Sequence, residues 1–184
     1  HAIESALNFK NSKLIAIDIS LNSLSYAKRK TQEFGIENLQ YGQADLLEFS
    51  NSGEQFDLIE CMGVLHHLED PLIGLAALKK VLRPSGLIKL GLYSKIAREH
   101  ISRFRKKFNN FENIPSKTEM LSIRRQIQSS EDPDSEMLLQ SPDFYSSSAL
   151  KDLIFHVKEH NFDLMELKQI LENLGLRFCG FSFE

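Results

Sequence analysis

Apolar residues in this chain switch repeatedly between a continuous and a helical spacing, and each switch predicts the boundary of an element. Ala2, Ile3, Ala6 and Leu7 recur at helical intervals, so residues 1–10 read as a short amphipathic helix. Residues 14–19 are an unbroken, β-rich apolar run, the pattern of a strand covered on both faces. Leu21, Leu24, Tyr26, Ala27 and Phe34 then give a helix that Ser20 or Asn22 can cap and Gly35 can stop. Further strands are predicted at 38–41 and 56–61. Asp70 before Pro71 combines a capping side chain with proline at the first helical position. The helix it opens turns Leu72, Leu75, Ala76, Leu78 and Leu82 inward, stops at 83–86 and hands over to a strand at 87–93. Near the end, Asp163 with Glu166 three residues on forms a capping box for a helix over 164–174, stopped by Gly175 and followed by a strand at 176–183.

Strand, helix and strand in regular succession predict an α/β fold with a mostly parallel, doubly wound sheet. In such sheets ligands bind at the carboxyl ends of the strands. Asp18 and Asp45 fall at two of those ends. After Ser94 the composition changes. Arg98, Arg103, Arg105, Lys106 and Lys107 alternate with Ile101, Phe104 and Phe108, and a polar stretch covers 129–135. Residues 95–161 therefore read as a helical insertion, or lid, within a domain whose core is 1–94 and whose last helix and strand are 162–184. The insertion is expected to be too short and too polar to hold a core of its own.

With 184 residues, 42% of them hydrophobic, the chain has the size of one packed domain. A net charge of -3 exerts no general pull on nucleic acid or anionic lipid. The basic run over 98–108 is explained by an amphipathic helix with a charged outer face. No apolar run approaches the length of a membrane span. Cys61 and Cys179 form no spaced set, so neither a disulfide framework nor a zinc site is expected, and a reducing cytoplasm is the default compartment.

Three constellations carry chemistry. Asp18, closing the run AIDIS, is a carboxylate where a ribose diol would need an acceptor, or else it caps the next helix. Asp45, in QADLLEF, is the second strand-end carboxylate. The third is the string FDLIECMGVLHHLEDP, in which Gly63 permits close approach and His66 and His67 titrate near neutral pH. One of these imidazoles is a candidate general base, although a helix cap or a hydrogen bond to a backbone carbonyl is the plainer explanation of the pair. Residues 156–160 match the H-x-x-E-H zinc-peptidase pattern, but the downstream capping box breaks the helix that pattern needs, and no metal is assigned.

Taken together these strings resemble the middle of class I S-adenosylmethionine-dependent methyltransferases, closely over the first half of the chain. The resemblance implies a Rossmann-like fold and S-adenosylmethionine as cofactor. It implies that Asp18 with Ile19 holds the adenosyl ribose, that Asp45 accepts from the adenine amine while Leu46 packs on its ring, and that Cys61, Met62 and Gly63 lie against the methionine part. His66 and His67 would line the methyl-transfer site, and Tyr145, His156 and His160 would face the acceptor. The sequence after Ser94 resembles bacterial methyltransferases often fused to tetratricopeptide repeats, so such repeats are expected elsewhere in the full protein. The acceptor, small molecule or protein, is not legible; neither nucleic acid nor a membrane is expected as a partner.

The family's first strand and glycine-rich loop are not among these 184 residues. The chain is thus expected to be a piece of a longer protein, begun before its first helix and cut near its last strand, with a gap between the strands ending at Asp18 and Cys61 and no activity by itself. Two alternatives compete. A nicotinamide-dependent oxidoreductase would use Asp18 equally well, and a methyltransferase-like module without activity would keep only the fold.

Overall fold

The computed structural model describes residues 1–107, 115–155 and 159–182. They form two compact units, His1–Ile59 with Ile73–Ile88, and Glu60–Leu72 with Lys89–Glu184.

The first unit opens with α1 (Ala2–Asn8), β1 (Leu14–Asp18), α2 (Leu21–Glu33), β2 (Leu39–Gln43) and α3 (Leu46–Phe49). β1 and β2 pair in parallel, Leu14 opposite Leu39 and Asp18 opposite Gln43. Ser20 caps α2 by accepting from the Ser23 N–H, as its sequence position predicts. Thr31 donates its one hydroxyl proton to the Ala27 carbonyl at 2.9 Å, so Tyr41 donates to Thr31 across 2.6 Å and pins α2 on β2. The Asn38 amide donates to the carbonyls of Ala6 and Phe9 and fixes the end of α1.

β3 (Phe56–Met62), α4 (Pro71–Lys80) and β4 (Leu82–Gly91) follow. The Phe56 N–H donates to Val81 at one end and the Gly63 N–H to Gly91 at the other, so β3 and β4 advance in the same direction. β4 begins at Leu82 rather than at 87, and Leu82 therefore belongs to the strand, not to the inward face of the helix. Within β4, Ser85 adopts a left-handed φ of 65°. At Gly86 a Cβ would lie 3.0 Å from the Asp57 carbonyl. Among the described residues no ladder joins β1 to β3.

In the second unit β5 (Tyr93–Ser94) pairs in parallel with β6 (Asn161–Phe162). Between them lie α5 (Glu99–Lys107), α6 (Lys117–Gln128), α7 (Pro133–Leu139) and α8 (Ser147–Ile154), and α9 (Leu164–Asn173) follows. Here an expectation fails. Ile101, Phe104, Ile127, Leu138, Phe144, Leu150, Leu153, Ile154 and Phe155 form one buried cluster, so the 95–161 segment does hold an apolar core. Its polar residues occupy caps and ion pairs instead: Ser116 and Glu119 form a full capping box, and Asp132 caps α7 ahead of Pro133. Arg103 and Lys107 pair with Asp134 and Asp132, so the basic face of α5 is answered within the chain. Phe108 lies outside the described residues. No strand forms over 176–182, where no backbone ladder is made among the described residues; Phe183 lies outside the described residues.

Candidate functional site

The carboxyl edge of β1 and β2 carries the first group of candidates. Asp18 Oδ1 accepts from the Ser20 N–H at 2.8 Å, while the cap of α2 is Ser20 itself. Asp18 is therefore not the helix cap, and its other oxygen meets no protein donor among the described residues. Gln43 reaches across and donates to the Ile19 carbonyl at 3.1 Å, tying the two strand ends together. Ile19 is 70% exposed at this edge. Asp45 is different in kind: its carboxylate accepts from the Leu47 N–H at 2.7 Å and caps α3, so it has a complete local role whatever it binds. Leu46 is half-buried as the first residue of that helix.

The second unit carries the other group. Gly63 has φ 73° and open space where a Cβ would stand, so its backbone can be approached closely. Opposite, a Cβ at Gly91 would come within 2.8 Å of the Met62 side chain, which makes Gly91 the residue that lets β3 and β4 close together. Burial pushes the Cys61 thiol up to about 11, which argues against a thiolate nucleophile. Leu65–His67 form a single 3₁₀ turn. It separates the two histidines: His66 is buried, 1% exposed, while His67 is half-buried.

Around His66 the structure assembles residues that sequence reasoning missed. The Tyr93 ring stacks on His66 at 3.8 Å, and the Arg98 guanidinium lies 3.8 Å from the Tyr93 centroid. Burial raises the Tyr93 phenol above its usual range, with the Arg98 charge opposing. Arg98 is itself buried and paired with Glu159, which also lies 3.6 Å from Arg105. Glu159 is the carboxylate of the zinc-peptidase-like pattern; here it serves two arginines. The only sequence signal for this group was a basic helix followed, far away, by an acidic residue.

Of the acceptor-side candidates, Tyr145 is 63% exposed and donates its hydroxyl to the Leu139 carbonyl at 3.0 Å. The His160 N–H donates to the His66 carbonyl at 2.9 Å, so the His turn and the entry to β6 are adjacent, and the His160 residue is exposed. His156 lies outside the described residues.

Parallel ladders alternating with helices, with an exposed carboxylate at the carboxyl end of a strand, are the arrangement at whose strand ends α/β domains bind ligands. A family model described as "Methyltransferase domain" matches residues 1–175, and the chain belongs to that family. An uncharacterized protein of Synechococcus sp. is 29% identical over 180 residues, covering 94% of this chain and 43% of that protein. A ubiquinone biosynthesis O-methyltransferase of Actinobacillus pleuropneumoniae is 28% identical over 91 residues, 47% of this chain and 38% of the enzyme. The solved structure of PKMT2 from Rickettsia typhi in complex with AdoHcy superposes with a TM-score of 0.68 at 17% identity, covering 94% of this chain and 36% of that one, a likeness of fold. The chain spans less than half the length of these relatives.

Proposed function

We propose that the protein transfers a methyl group from S-adenosylmethionine to a nucleophilic acceptor. The observation that carries this reading is Asp18: a strand-end carboxylate, relieved of capping by Ser20, with one oxygen available to a ribose hydroxyl. Within the second unit, the open backbone at Gly63 would admit a ligand against its peptide groups, since a segment without a side chain can be approached closely.

When bound, S-adenosylmethionine supplies a sulfonium methyl that is already activated, so alignment and a dry site are what the protein must add. In this reading Asp18, with Ile19 beside it, accepts from the ribose. Asp45 accepts from the adenine amine as well as capping α3, and Leu46 packs on the ring. Cys61, Met62 and Gly63 flank the methionine portion through backbone and buried surface. His67 is the accessible member of the histidine pair and the one able to take a proton from an acceptor; His66 is too deeply buried for that. The 95–161 insertion reads the acceptor, with His160 on its return to the frame. We take these 184 residues alone to be inactive, because among the described residues the parallel ladders are not joined into one sheet.

Calorimetry of the full-length protein with S-adenosylhomocysteine and with NAD tests the reading. Binding of the first alone is expected. Binding of NAD alone would restore the oxidoreductase alternative, and binding of neither would leave a module without activity.

A further inference from the structure

We infer that Tyr93, braced by Arg98 and Glu159, is a positioning residue that fixes the histidine turn so that His67, not His66, is the imidazole presented to the acceptor; this rests on the methyl-transfer reading. The contacts form an unbroken series within the second unit. Glu159, its side chain 2% exposed, binds Arg98 through both oxygens, with Nε to Oε1 at 3.1 Å. Arg98 also donates from Nη2 to the Leu153 carbonyl at 3.2 Å, so its guanidinium is held from two sides. That fixed cation sits 3.8 Å from the centroid of the Tyr93 ring, and the ring lies at 23° to His66 over 3.8 Å. His66 in turn meets His67 edge to face at 4.2 Å.

The backbone repeats the connection. Tyr93 is opposite Asn161 in the β5–β6 ladder, and the His160 N–H binds the His66 carbonyl. A buried, bidentate arginine–carboxylate pair has no slack, and a cation desolvated over an aromatic face is held more firmly than one in water. The brace therefore permits one placement of the Tyr93 ring. His66 is packed beneath that ring, whereas the next residue of the turn, His67, is half-buried and meets the same ring only edge-on at 6.1 Å.

Carbethoxylation by diethyl pyrocarbonate, mapped by mass spectrometry on full-length protein, reads the arrangement. The exposed His160 serves as internal reference. His67 is expected to react at least about tenfold faster than His66, which is reached only through local opening. S-adenosylhomocysteine should slow His67 by about fivefold or more through occupancy of the adjoining site. Tyr93→Phe keeps the ring and should match the parent. Tyr93→Leu and Arg98→Met should bring the two histidines to within about threefold of each other and abolish protection of His67, with affinity for S-adenosylhomocysteine changed by less than about threefold. Equal reactivity in the parent, or protection of His67 that persists in Tyr93→Leu, overturns the inference. Should Arg98→Met fail to fold, Tyr93→Leu, which unpairs no charge, decides. Failure of the parent to bind S-adenosylhomocysteine overturns the methyl-transfer reading and the acceptor-facing role with it, while the histidine reactivities still judge the brace.

Discussion

Gln43 donates its side-chain amide to the Ile19 carbonyl over 3.1 Å, and this bond locks the ends of β1 and β2 beside both candidate carboxylates. Asp18 is Gln43's partner in the ladder register, and Asp45 lies two residues past it. The edge is thus rigid backbone with two exposed acidic groups, and their local duties differ.

That difference sets the first expectation. Asp18→Ala should weaken binding of S-adenosylhomocysteine to the full-length protein by about 1.5–3 kcal/mol, the worth of hydrogen bonds to a charged acceptor. Asp45→Ala should weaken it less, and should also cost about 1 kcal/mol of stability through the lost cap of α3. Calorimetry and denaturant melts measure the two effects separately. A larger affinity loss from Asp45→Ala would reverse the assignment of ribose and adenine.

The apolar cluster of the insertion gives the second. Phe144 and Leu138 are fully buried in it. Phe144→Ala should destabilise by about 3–5 kcal/mol and Leu138→Ala by about 2–5 kcal/mol, transfer and cavity costs together. Equilibrium unfolding in urea reports both. Losses under about 0.5 kcal/mol, the size of ordinary surface changes, would mean that the segment has no packed core.

The two cysteines should behave oppositely. Cys61 is buried and titrates at about 11, whereas Cys179 is exposed. Since the thiolate is the reactive form, iodoacetamide at pH 8 should label Cys179 and leave Cys61 at least about tenfold slower. Peptide mass spectrometry distinguishes them.

Acid should loosen the insertion in a defined window. The Arg103 hydrogen bond holds the Asp134 carboxyl below its usual range, helped by Lys107, and the Lys107 hydrogen bond does the same for Asp132. A carboxyl depressed in the folded state contributes stability that is fully present above the unfolded value, about 4, and is lost as pH falls through the depressed folded values. The Arg103 side chain is 49% exposed, so the effect is modest and weakened by salt. Thermal melts of parent and Asp134→Asn should differ at pH 7 and converge below pH about 4. A gap that stays constant across that window would assign the loss to packing instead.

Much of the frame is legible from single residues. Ser20, Asp70 before Pro71, and Asp163 before Glu166 mark helix starts that the structure reproduces, because capping is decided by neighbours two or three residues away. The same signals at Ser116 with Glu119, and at Asp132 before Pro133, announce α6 and α7, yet a polar surrounding composition masks them. Their apolar residues become visible as a core only when several short helices are brought together. The strand read at 176–183 is not formed over its described residues, 176–182, for the opposite reason: an alternating apolar run states a readiness to pair, and pairing needs a neighbour.

By itself the sequence determined the order of the longer strands and helices over the first 94 residues, the strand-end position of Asp18 and the resemblance that the family match bears out, since each rests on periodicity or on residues close in the chain. Only the tertiary structure decided that Arg98 is a buried brace rather than part of a solvated basic face, because its partner Glu159 stands 61 residues away. It likewise showed that His66 is buried and His67 only half-buried. Adjacent residues of one type carry the same chemistry, and which is buried depends on Tyr93, whose position is set by a ladder closed across the whole insertion.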